Sequence, residues 1–240
     1  MKEEWIVGFL ILVIDDHEGS NCIAPITSFM PLKFCHVSKG EIPVDVFLFH
    51  GYSSSTRWQS GIAKRFNALG YNVYACNYIG HGGRKGKKNA IFDSMIEIEK
   101  IMKRRKNPVV LIGHSIGGAI ALSIGARLEN VAQVFAIGAP NGKWFIDEKP
   151  LRNPGQILKA MPMAHGSCGQ DIKQKFFLIH ALNDSKVPIR EFEDNRILFC
   201  IPKKNTLVLD GMTGVGIIDH ARSMYMAETL AFIEKHIIIG

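Results

Sequence analysis

Val109-Val110-Leu111-Ile112-Gly113-His114-Ser115-Ile116-Gly117-Gly118-Ala119-Ile120-Ala121 is the stretch whose reading decides the fold. Four β-branched or leucine residues in a row read as a strand buried on both faces, because a half-solvated strand would alternate polar and apolar side chains. The run stops at Gly113 and small apolar residues resume at helical spacing, with Ile120, Ala121, Ile124 and Leu128 on one face of 118–128. A buried strand that turns directly into a buried helix is the unit of a parallel sheet covered by helices.

Working outward, the same unit recurs. Strands are expected at 45–49, 72–77, 131–137, 176–180 and 206–209. Helical periodicity fills 57–69 (Ile62, Phe66, Leu69) and 90–105 (Ile91, Met95, Ile98, Met102), and 223–237 reads as a closing helix. Two extended stretches around residues 15–19 read as an antiparallel hairpin that opens the sheet. The fold class is therefore α/β in one domain spanning 1–240. The segment 141–174, rich in Pro, Gly and Met, breaks the alternation after a strand and reads as a short cap on the face where such sheets bind ligands.

Composition removes several classes. With 47% hydrophobic and 21% charged residues the chain is neither disordered nor fibrous. The apolar run 5–14 is too short to span a bilayer, which takes about 20 residues. It is preceded by Glu3 and Glu4 and followed by Asp15-Asp16, so it reads as a buried strand rather than a signal peptide, and no stable membrane insertion is expected. Five dispersed cysteines (Cys22, Cys35, Cys76, Cys168, Cys200) without CxxC pairing point to reduced thiols and a cytoplasmic location. The net charge of +7 gathers partly in 84–88 and 103–106, but no nucleic-acid motif accompanies either run. The second run falls at a helix C-terminus, where it complements the dipole. The first follows a strand and should rim the ligand face, either as a solvated loop or as an attractor of anionic substrates. Residues 84–88 do not make a P-loop, no GxGxxG opens a helix, and no His/Cys/Asp grouping has metal spacing, so no cofactor is expected.

Gly113-His114-Ser115-Ile116-Gly117 has the G-x-S-x-G form, in which a serine on a strained strand-to-helix turn is lifted clear of the sheet. About one chain in ten of this length carries the pattern by chance, so the strand before it and the helix after it are what give it weight. The bland reading is a glycine-rich turn with a capping serine. A serine hydroxyl needs an imidazole to take its proton, and the partners of such an elbow follow in the order acid, then histidine. Of His165, His180, His220 and His236, His180 lies within an apolar strand and reads as a buried core residue. His236 sits near a helix end, and His165 lies in the cap. His220 emerges after the last strand through a glycine-rich turn, at the ligand face. For the acid, Asp184 follows the strand 176–180 and can orient His220. Its other reading is a turn aspartate before Pro188, and Asp210 and Asp219 are nearer His220 in sequence.

Phe47-Leu48-Phe49-His50-Gly51-Tyr52 and Asn77-Tyr78-Ile79-Gly80-His81-Gly82, together with the elbow and Leu182-Asn183-Asp184, resemble the α/β-hydrolase family over nearly the whole chain. The similarity is to its small-lid branch of carboxylesterases and monoacylglycerol-lipase-like serine hydrolases. Where the family's turn has Asp-x-Arg-Gly-His-Gly, this chain has Asn77 and Ile79. The resemblance implies a mostly parallel eight-stranded sheet with helices on both faces. It also implies an oxyanion hole of the Tyr52 and Ile116 backbone N–H groups, and a small-molecule acyl ester or thioester as substrate. Trp144, Met161 and Met163 are candidates for an acyl pocket, or else pack the cap onto the sheet. The same residues serve amide, C–C or perhydrolase chemistry in relatives of this kind, and some members of the fold are non-catalytic binding proteins.

Overall fold

Strands with no polar face need cover on both sides, and the chain supplies it. The computed structural model describes residues 35–52, 54–86, 91–141, 175–213, 216–217 and 219–238. Within them β1 (Cys35–Ser38), β2 (Ile42–Phe49), β3 (Tyr71–Cys76), β4 (Val109–His114), β5 (Val131–Ile137), β6 (Phe176–Ala181) and β7 (Thr206–Leu209) form one sheet of order β1-β3-β2-β4-β5-β6-β7. β1 pairs antiparallel with β3, and every other pairing is parallel. A two-stranded ribbon, β8 (Met212–Thr213) with β9 (Gly216–Ile217), precedes His220.

Among the described residues five helices connect or close these strands: α1 (Ser60–Ala68), α2 (Ile91–Met102), α3 (Ile116–Gly125), α4 (Ile189–Leu198) and α5 (Ala227–His236). The two-residue period of β2 sorts its side chains. Val44, Val46 and Leu48 join Ile62, Ala63 and Phe66 of α1 and Ile233 of α5 in one buried cluster. Arg65 and Glu234 tie those two helices together at the surface. α3 lies against β4 and β5 and is buried along its whole length, as its apolar sequence requires.

Seven strands of the anticipated eight lie in the described residues. The anticipated hairpin around residues 15–19 lies outside them, as does the apolar run 5–14. Among the described residues the antiparallel edge is β1, a four-residue strand that carries too little pattern to read. α4 was not anticipated, because of its residues IREFEDNRIL only Glu191, Phe192 and Asn195 are buried.

Two expectations fail. Cys35 sits directly opposite Cys76 in the antiparallel β1–β3 register and forms a disulfide with it, and Cys200 is disulfide-bonded as well. The reading of reduced thiols is overturned, and its argument for a reducing compartment falls with it. Sheet adjacency, which a spacing of 41 residues does not reveal, made the pair. The run 103–106 also does more than complement a dipole. Lys103 pairs with Glu99, while Arg105 reaches the fully buried Asp45 at 2.5 Å and lies over the Tyr74 ring. Asn72 and Asn107 donate to the other oxygen of Asp45, at 3.1 and 3.0 Å.

Removing one member of a buried pair leaves an uncompensated charge. Arg105→Ala should therefore lower the free energy of unfolding by about 3 kcal/mol, measured by urea denaturation. A loss below about 1 kcal/mol would mean that the two asparagines suffice for Asp45.

Candidate active site

β4 ends at His114 and α3 begins at Ile116, so Ser115 alone makes the turn between them. It has φ 58° and ψ −127°, a conformation that strains a residue with a side chain. The surrounding backbone holds it there. Its N–H donates to Ile137 O of β5 at 2.8 Å, and its carbonyl accepts from Gly118 N–H at 2.8 Å. Space dictates the flanking glycines: a Cβ on Gly113 would lie 2.2 Å from Gly117 O, and one on Gly117 2.3 Å from Phe49 O. The helix therefore starts hard against the ends of β2 and β4.

Asp184 lies in the turn after β6, and its Oδ2 accepts from His220 Nδ1 at 2.6 Å. Its Oδ1 accepts from the backbone N–H groups of Lys186 and Val187, at 2.8 and 2.9 Å. Burial by itself would raise this carboxyl, but the bonds from His220 and the two amides outweigh it and hold it below the ordinary carboxylate range. An ionised carboxylate only accepts, so Nδ1 of His220 carries a proton, and in the neutral ring the lone pair is on Nε2. The sheet thus joins Asp184 and His220 across 36 residues. Asp219 instead accepts from Arg222 N–H at 3.0 Å, and Asp210 is exposed.

The other histidines sort as their positions suggested. His180 is buried, with Nε2 2.9 Å from Val187 O and 3.8 Å from Asp184, and burial lowers its pKa. His236 contacts Phe232 O at 2.8 Å within α5. His165 lies outside the described residues, as do Trp144, Met161, Met163 and all of the cap beyond Asn141. Asn141 itself is pinned to α4, its N–H donating to Glu191 and its side chain to Asp194.

The end of β2 approaches the elbow closely. A Cβ on Gly51, one residue before Tyr52, would sit 3.3 Å from Ser115 Cβ. Ile116 is the first residue of α3, where an N–H has no partner within the helix. Two histidines brace this region. His81 Nε2 lies 2.5 Å from Tyr52 O, while His50 Nδ1 donates to Gly51 O at 2.7 Å and its Nε2 accepts from Tyr78 N–H at 3.3 Å. Asn77 uses both ends of its amide on Thr56, accepting from its N–H at 2.9 Å and donating to its hydroxyl at 3.1 Å. An aspartate would lack that donor. Arg84 turns inward to Glu97 of α2 and Asn77 O, so the anticipated basic rim loses its first residue to the scaffold. Lys87 and Lys88 lie outside the described residues.

One residue near the site went unread. His114, between Gly113 and Ser115, places Nε2 2.7 Å from the backbone oxygen of His220. Its only sequence signal was adjacency to the serine.

Burial lowers the His50 and His114 pKa values to about 4. Unfolded, both imidazoles take up protons below their ordinary value of 6.5, so between pH 6.5 and 4 the unfolded chain binds more protons than the fold. Stability should fall as the pH drops through that window, by about 3 kcal/mol for His50 alone. Thermal unfolding at stepped pH checks this. His50→Gln should flatten the curve, and a melting temperature level from pH 6.5 to 4 would contradict it.

The family model described as serine aminopeptidase, S33 matches residues 41–188, from β2 through the Asp184 turn. A monoacylglycerol lipase of Mycolicibacterium smegmatis is 30% identical over 103 residues, covering 40% of this chain and 37% of that protein. A caffeoylshikimate esterase of Arabidopsis thaliana is 31% identical over 110 residues, covering 40% of this chain and 30% of that protein. The chain thus spans about a third of the curated relatives it matches. In fold it is similar to Est1E of Butyrivibrio proteoclasticus, solved with ferulic acid, at a TM-score of 0.61 and 13% identity over 84% of this chain and 92% of that one. Among the described residues no helix is long and apolar enough to cross a membrane.

Proposed function

Because the chain belongs to the serine aminopeptidase, S33 family of α/β-hydrolases, we propose that it is a serine hydrolase. In this reading it cleaves carboxylic esters or thioesters of small to medium acyl groups through an acyl-Ser115 intermediate. The observation that carries the reading is the 2.6 Å bond between Asp184 and His220 Nδ1, which leaves Nε2 free to take a proton. The strained Ser115 turn beside Gly51 supports it.

His220 Nε2 takes the Ser115 proton as Oγ bonds to the acyl carbon. The carbonyl oxygen gains the electron pair and is held by the N–H groups of Tyr52 and Ile116. When the pair returns, the alkoxide or thiolate leaves with the proton from His220. Water then repeats the sequence, giving up a proton to His220, releasing the acid and restoring Ser115. Asp184 stays ionised throughout and stabilises the imidazolium. Trp144, Met161 and Met163 of the cap are assigned to the acyl pocket.

The family description names a peptidase, whereas the lipase and the esterase among the relatives favour an ester bond. Retention of all three side chains speaks against a non-catalytic binding role.

Ser115→Ala should lower kcat by about 10⁶, or about 8 kcal/mol of transition-state stabilisation, with chromogenic esters and thioesters of graded chain length as substrates. A fluorophosphonate should label the parent chain at Ser115. Turnover that survives the substitution would remove Ser115 from the mechanism, and preference for an anilide over the matching ester would move the activity to amides.

A further inference from the structure

His220 is held at both ends. Its ring is bonded to Asp184, and its backbone carbonyl accepts from two donors, His114 Nε2 at 2.7 Å and Ser223 Oγ at 2.8 Å. The rings of His114 and His220 lie together, with centroids 4.7 Å apart and planes tilted by 38°. We infer that His114 is a positioning residue that fixes His220 relative to the nucleophile, an inference that rests on the proposed role of His220 as the base.

The two histidines are attached to supports of different rigidity. His114 is the last residue of β4, and β4 lies between β2 and β5 in the middle of the sheet. One peptide bond separates it from Ser115. His220, by contrast, comes after β7 by way of the β8–β9 ribbon, so its own strand does little to fix its distance from the serine. A group that must stand within a few tenths of an ångström of a partner needs a rigid support. The bond from His114 supplies one. It ties the base directly to the element that carries the nucleophile.

The chemistry of the bond is one-directional. A carbonyl oxygen only accepts, so Nε2 of His114 bears the proton. Burial lowers the His114 pKa to about 4, so the ring is neutral at ordinary pH with Nδ1 unprotonated. That neutrality matters here. A second cation stacked at 4.7 Å would oppose the imidazolium that His220 becomes when it takes the serine proton. A neutral donor positions the base without that penalty. Ser223 also donates to this carbonyl, in the turn that Ser223 N–H makes with Asp219 O, but it lies three residues from His220 on the same segment and gives no link to β4.

The test contrasts ring shape with hydrogen bonding. His114→Phe keeps a ring and loses the donor, whereas His114→Gln keeps a donor of similar reach. kcat and KM are measured with a short-chain chromogenic ester and normalised to the sites that a fluorophosphonate labels. His114→Phe should lose about 100-fold in kcat with KM within about twofold, and His114→Gln should recover to within about fivefold of the parent. A purely structural role would instead reduce the number of active sites and the melting temperature while leaving kcat per site alone. Should the phenylalanine variant not fold, His114→Asn, whose amide falls short of the carbonyl, supplies the same contrast with His114→Gln. The inference is overturned if the parent is labelled and active while His114→Phe keeps kcat within about threefold, or if the donor-bearing and donor-lacking variants fall equally. A parent chain that is neither labelled nor active would overturn the hydrolase reading, and this inference with it.

Discussion

The carboxylate of Asp184 is the point on which the arrangement turns. One of its oxygens is filled by two backbone N–H groups, so the other is free to engage His220. Those backbone donors exist because the chain turns tightly after β6 at Lys186 and Val187, and β6 stands where it does because it is paired between β5 and β7. A carboxylate with a single partner could swing between rotamers. With three it has one orientation, and the imbalance between burial and hydrogen bonding keeps it charged. The tautomer of His220 follows from that charge, and the free lone pair follows from the tautomer.

The loops at the carboxyl ends of the strands share a second device. His50 contacts Gly51 O, His81 contacts Tyr52 O, His114 contacts His220 O and His180 contacts Val187 O. In each case an imidazole meets a loop carbonyl that no neighbouring strand pairs. Lysine or arginine would serve as a donor only by bringing a charge into a buried place, and a serine would not span the gap. A neutral imidazole has the reach of a long side chain and a single proton to give, at the cost of a fold that weakens when acid forces charge upon it. The opposite, amino-terminal edge is built differently, with Asp45 and Arg105 as an ion pair supported by asparagines.

What could be read beforehand follows the range of the forces involved. Strand 131–137 was legible to the residue because burial on nearly its whole length writes a continuous apolar run into it, and 206–209 because its run of Leu207, Val208 and Leu209 reads as a strand even though only Leu209 is buried. The elbow was legible because backbone crowding at Gly113 and Gly117 admits no other residue, and the Asp184–His220 pair because strand order limits which loops can meet. β1 and α4 were not legible. A four-residue strand carries almost no period, and a helix that buries only three residues looks like a polar loop. The Cys35–Cys76 disulfide and the roles of Arg84 and Arg105 depend on partners brought close by the sheet rather than by sequence, so composition alone misassigned all three. His114 was missed for a related reason: its partner is a backbone oxygen, which leaves no mark in the sequence.

These two edges together bear on the electrostatics of the candidate site. At the amino-terminal edge charge is neutralised pairwise, and around Asp184 burial lowers the pKa of the imidazoles of His114 and His180 and so favours their neutral forms. Asp184 is ionised among them. In surroundings of low polarizability a fixed charge acts further and more strongly than in water. The neutral rings leave its field uncancelled at the place where His220 would become an imidazolium, and they add no competing cation. Replacing either imidazole with lysine would restore a donor and still undo the arrangement, because the new charge would stabilise Asp184 in place of His220. The preference for histidine over a stronger donor is thus a consequence of where the proton has to go.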